Sequence, residues 1–164
     1  IFIFQAGAGT LTTAITNNTI NYRGTQRAIA IQAGQDGAGV VNATVTGNII
    51  DMQLDGVNNG TNAIFAQVAI TSPTGDGASM CFDGGGVGAL RNTVTHSLGG
   101  VLAGGDIRVR QRLNGIARLP GYGGLATDTV AVAAYLDGRN TIVSPSTASV
   151  NVTGFAGGGA CPQP

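Results

Sequence analysis

Ile1-Phe2-Ile3-Phe4-Gln5-Ala6-Gly7 and Ala28-Ile29-Ala30-Ile31-Gln32-Ala33-Gly34 read as one strand written twice, at an offset of 27 residues. Apolar residues alternate in both copies, which is the period of a β-strand. The wording returns in Ala63-Ile64-Phe65-Ala66-Gln67 and, as alternation, in Asp106-Ile107-Arg108-Val109-Arg110-Gln111. A strand repeated at roughly 30 residues cannot bury its apolar side alone, but stacked copies share a continuous interior.

A second strand recurs beside the first. Leu11, Thr13, Ile15, Asn18 and Ile20 align with Val41, Ala43, Val45, Asn48 and Ile50, and a weaker copy ends at Asn92 and Val94. Insertions fall between strands, in the Gly-, Asn- and Asp-rich stretches 33–40, 53–62 and 71–79. Asn18, Asn48 and Asn92 keep one turn position, where Asn tolerates the left-handed conformation and stacked amides can bond from copy to copy. The pattern predicts an all-β chain: a right-handed parallel β-helix, or β-solenoid, of about four irregular coils. A hairpin-built sandwich predicts turns every 8–12 residues but not this direct repetition.

Composition agrees. There are 28 Gly, 18 Thr and 12 Asn, and no Lys, Glu or Trp. The strong helix formers Lys and Glu are missing, while strand and turn residues abound. A 43% hydrophobic fraction argues against disorder. Zero net charge gives no general attraction to nucleic acid, and no apolar run approaches a membrane span. The expected partners therefore exclude nucleic acid and membrane insertion. The chain starts at Ile1 and shows no signal peptide, which reads as a processed or truncated product. Cys81 and Cys161 are either buried thiols or a disulfide, and the secreted style of the composition favours the bond.

The pattern breaks at 121–139. Thr127 or Asp128 can cap a helix filled by Val130 to Leu136 and stopped by Gly138. One domain, 1–164, is expected: coils over 1–120, a cap-helix region over 121–139, and final strands with a Gly-rich tail pinned by Cys161 over 140–164. Ile107-Arg108-Val109-Arg110-Gln111-Arg112, Arg118-Leu119-Pro120-Gly121-Tyr122, Asp128-Thr129 with Val132, and Gly157-Gly158-Gly159-Ala160-Cys161-Pro162 carry a resemblance. It covers roughly residues 80–164. The segment resembles the C-terminal parallel β-helix-like part of large secreted bacterial surface proteins of the repeat or adhesin type. That resemblance implies export, a cell-surface location and a non-enzymatic role.

Chemistry is sparse. The eight Asp residues are scattered, Asp51 and Asp55 being the closest, whereas glycoside cleavage needs two carboxylates across one bond. His96 is the only histidine and reads as an ordinary surface or satisfied residue. One His and two distant Cys do not make a zinc site, and no Ca²⁺ or phosphate loop is spelled. No catalytic, metal or cofactor residue is expected. Arg108, Arg110 and Arg112 alternate with Ile107, Val109 and Leu113 and can bind carboxylates or sulfates on a glycan.

The first strand is apolar at every one of its first four positions. If Phe2 and Phe4 point inward like Ile29 and Ile31, then Ile1 and Ile3 point outward, an aggregation liability unless covered. The expected role is an extracellular structural protein, a filament or surface-fibre subunit joined head to tail through Ile1, Phe2, Ile3 and Phe4. A glycan-binding or glycan-cleaving β-helix, or the passive end module of a large adhesin, is the alternative.

Overall fold

The computed structural model describes residues 1–57, 60–70, 77–102, 104–125, 127–143, 149–154 and 161. Asp76, Asn59 and most of the Gly-rich tail lie outside them. Among the described residues the chain is mostly parallel β, with one α-helix. Three strands run in each tier: β1 (Phe2–Gln5), β2 (Thr10–Thr16) and β3 (Thr19–Tyr22), then β4 (Arg27–Ala33), β5 (Val40–Thr46) and β6 (Ile49–Met52). The third tier holds β7 (Asn62–Val68), β8 (Ser79–Gly84) and β9 (Asn92–Thr95), and the fourth β10 (Ile107–Gln111), β11 (Ile116–Arg118) and β12 (Asn140–Val143). A last strand, β13 (Val150–Thr153), follows. Helix α1 (Thr129–Asp137) lies between β11 and β12 in the chain.

Each strand from β1 to β10 pairs in parallel with the strand three further on. Sheet A runs β1-β4-β7-β10-β13, sheet B β11-β8-β5-β2 and sheet C β12-β9-β6-β3. Parallel neighbours need a long crossover, and here the crossover is the rest of the tier. The interior collects Ile29, Ile31, Ile64, Ile107 and Val109 from sheet A. Sheet B adds Val41, Val45, Met80 and Phe82, and sheet C adds Ile50, Met52 and Val94.

The register corrects the reading of the first strand. Phe2 lies opposite Ala30 and Ile3 opposite Ile31, an offset of 28 rather than 27. Ile3 therefore packs on the core, while Phe2 and Phe4 stack on each other outside it, ring centroids 5.8 Å apart. A one-residue slip exchanges the two faces of a strand, and a strand apolar on both faces carries no pattern that forbids the slip.

The left-handed turn position is corrected too. It belongs to the residue before each of the first two ladder asparagines, Asn17 at φ 56° and Gly47 at φ 67°. A Cβ on Gly47 would come within 2.3 Å of Asn17 Oδ1, so the stacking itself requires glycine there.

Helix α1 follows the capping logic: Asp128 Oδ1 accepts from Ala131 N at 2.9 Å, and Gly138 ends it. It packs against β12 and β13, with Val132 and Leu136 buried. Cys81 and Cys161 form a disulfide with Cα atoms 5.9 Å apart. Closing a loop of 80 residues is worth about 4 kcal/mol in chain entropy.

Candidate functional site

Two arrangements of polar side chains are built by the stacking. The first is internal. Asn18 Nδ2 donates to Asn48 Oδ1 (2.9 Å), Asn48 Nδ2 to Asn92 Oδ1 (2.9 Å) and Asn92 Nδ2 to Asn140 Oδ1 (2.8 Å). The same carbonyl oxygens of Asn48 and Asn92 accept the backbone N–H of Asn18 and Asn48. Asn140 Nδ2 closes the row on Gly84 O and on Leu136 O in the last turn of α1. Asn48 and Asn92 are fully buried, and their amides meet every backbone group they face, which is what makes buried amides tolerable.

The second is the outer face of sheet A. Register places Phe2, Ala30, Phe65, Arg108 and Asn151 in one column across the five strands. Phe4, Gln32, Gln67, Arg110 and Thr153 form the next. Arg27 joins from the start of β4, its guanidinium carbon 3.9 Å above the centre of the Phe65 ring. A groove of about 250 Å³ opens alongside, lined by Ile1, Phe2, Gln26, Arg27 and Ala30.

The electrostatics of this face are one-sided. Arg27 is held below its ordinary pKa by burial and then by neighbouring Arg108, against a smaller opposing effect of Tyr22. Arg110 is held below it by burial, then by Arg112, Arg108 and Arg27. Among the described residues the arginine–carboxylate pairs are Arg23–Asp55 and Arg139–Asp83, and neither involves these four arginines. Arg27 Nε, Arg108 Nε and Thr153 Oγ1 are buried without a hydrogen-bond partner.

Arg112 departs from the expected row. Strand β10 ends at Gln111, and Arg112 lies beyond it, exposed, donating from Nη1 to Ile70 O at 2.8 Å. The inward position after Val109 is taken by Gln111, whose Oε1 accepts from Ala117 N, while Leu113 turns out to solvent at φ 51°.

The remaining polar groups brace the fold. Burial alone would raise the Asp51 pKa, but hydrogen bonds from the Ser97 hydroxyl and N–H, Gln53 and Thr95 hold it below the ordinary value. Asp55 pairs with Arg23 at 2.6 Å, so the two closest carboxylates serve separate loops. His96 is buried, with Nε2 2.5 Å from Asp106 Oδ1 and Nδ1 2.6 Å from Gly100 O. A carbonyl oxygen only accepts, so Nδ1 carries a proton. Among the described residues no three His, Cys, Asp or Glu side chains gather as a metal site.

Two residues escape a reading by repeats. Asn140 follows a helix rather than a strand, yet Asn140-Thr141-Ile142 has the wording of Asn18-Thr19-Ile20 and Asn92-Thr93-Val94 and could have been found by it. Arg27 lies in another tier, far in sequence from Arg108, and only the register joins them. No family model matches the chain, and no curated protein or solved structure matches it either.

Proposed function

We propose that this chain is a right-handed parallel β-solenoid with a structural, non-catalytic role outside the cell, and that it joins a second copy through the end formed by β1, β2 and β3. One observation carries the reading: the three sheets end together there, on three strand edges with no neighbouring strand among the described residues. Ile1 and Phe2 are 50% and 62% exposed at that end. Unpaired edges with apolar side chains favour strand addition. The amide row reaches Asn18 at the same place, and among the described residues no side chain donates to Asn18 Oδ1. The disulfide suits an oxidising compartment. A structural role is supported by the use made of Asp51, Asp55, Asp83, Asp106 and Asp128, each held in a hydrogen bond or ion pair within the fold.

The opposite end bears α1 against β12 and β13. A head-to-tail filament would use that end and must displace the helix. Two uncovered ends meeting about a two-fold axis form a closed pair without displacing anything. Light scattering of the purified chain should give the mass of two copies. Thr12→Lys with Thr19→Lys, which puts charge on the exposed edges of β2 and β3, should give one. A single-copy mass for the unaltered chain at micromolar concentration sinks the reading. Fibres in negative stain, abolished by the same variant, would keep strand addition and show that α1 yields.

A further inference from the structure

Like charges held together on a protein face repel, and guanidinium donors buried without acceptors cost more. The outer face of sheet A does both. Arg27 and Arg108 flank the buried Phe65 ring, two strands apart, and Arg110 stands two residues along β10 from Arg108. The register offsets Arg27 from Arg108 by three residues along the strands, so strand geometry sets these Cα separations at about 14 Å and about 7 Å. Four of the eight arginines of the chain, with Arg112 at the margin, thus gather where the described residues supply no carboxylate. Of the four other arginines, three have partners, Arg23 on Asp55, Arg139 on Asp83 and Arg91 on the carbonyls of Asn140 and Gly138, and Arg118 is exposed to solvent. Three buried polar atoms on this one face, Arg27 Nε, Arg108 Nε and Thr153 Oγ1, are left with donor capacity.

We infer that the outer face of sheet A binds an acidic polysaccharide, its carboxylates or sulfates held by Arg27, Arg108 and Arg110. Guanidiniums present paired donors that match either oxyanion. The half-buried Gln32 and Asn151 beside them offer amides for sugar hydroxyl groups. Phe2 and Phe4 give an apolar end to the same columns, next to the groove at Arg27. Phe65 is buried and covered by Arg27, so it offers no bare platform for a nucleic-acid base. This inference does not depend on self-association, because Arg27, Arg108 and Arg110 lie on β4 and β10, along the flank of the stack and not on the strands of its open end.

Calorimetric titration of the whole chain with polygalacturonate, heparin, neutral dextran and oligo-dT tests it. Polygalacturonate or heparin should bind, more weakly as salt rises, and dextran should not. The tighter of the two assigns the anion as carboxylate or sulfate. Arg108→Gln with Arg110→Gln should weaken that binding by more than about tenfold. Arg118→Gln, on exposed β11, should leave it unchanged. Arg27→Gln reads the same face from another strand should the double variant not fold, and thermal melting checks each variant. Absence of binding to both acidic glycans at low salt overturns the inference. So does tighter binding of oligo-dT, or an equal loss in Arg118→Gln.

Discussion

The two ends of the stack finish their sheets differently. At the β1–β3 end no further strand among the described residues pairs with the edges, and Thr10, Thr12, Thr16 and Thr19 are exposed along β2 and β3. At the other end α1 lies on β12 and β13, buries Val132 and Leu136, and takes a hydrogen bond from Asn140 to the carbonyl of Leu136 in its last turn. A helix satisfies its own backbone and needs only an apolar stripe to seal a sheet, whereas a strand at the end passes its unpaired groups on to the next comer. Similar repeats thus meet different neighbours at the two ends of the described residues, because the segment between β11 and β12 leaves the strand pattern for a helix.

Breaking the seal should have the largest effect. Leu136→Asp puts a charge into a fully buried position and should cost more than about 4 kcal/mol in urea unfolding. If it costs no more than an exposed substitution such as Val130→Asp, the helix is not a cover. A middle-sized effect should separate the amide row by position. Asn48→Ala removes from the interior the amide that donates to Ile15 O, Thr46 O and Asn92 Oδ1 and the oxygen that accepts from Asn18 N and Nδ2, and should cost about 1–3 kcal/mol. Asn18→Ala, at the bare end, should cost under about 1 kcal/mol. Equal losses would mean that the bare end is already covered in solution.

The smallest effect should be seen in acid. The Asp51 carboxyl is held below its ordinary value by Ser97, Gln53 and Thr95. Its contribution is therefore present above the unfolded pKa of about 3.9 and lost as pH falls through the lower folded value. Asp51→Asn should lower the melting temperature at neutral pH and flatten its fall below about pH 4. A parallel fall in both proteins would remove Asp51 from the account.

Much of the fold could be read from wording alone. Val41-Asn42-Ala43-Thr44-Val45 restates Leu11-Thr12-Thr13-Ala14-Ile15, and those strands do pair at that offset. The α1 boundaries were legible because Asp128 and Gly138 act locally. Face assignment in β1 was not, since Ile1 to Phe4 offer no polar residue to mark the outside. The arginine face was half legible: Arg108 and Arg110 alternate visibly on β10, but Arg112 falls past the strand end and Arg27 arrives from a different tier.

What the amino-acid order determined by itself is therefore whatever short-range alternation, caps and direct repeats encode: parallel strands, their approximate lengths, one helix and its limits. The tertiary structure alone decided which residues share a column. A shift of a single residue between stacked strands moves every side chain to the opposite face at almost no local cost. Packing of Ile3 on the core, and the meeting of Arg27 with Phe65 and Arg108, are set only when all tiers close on one another.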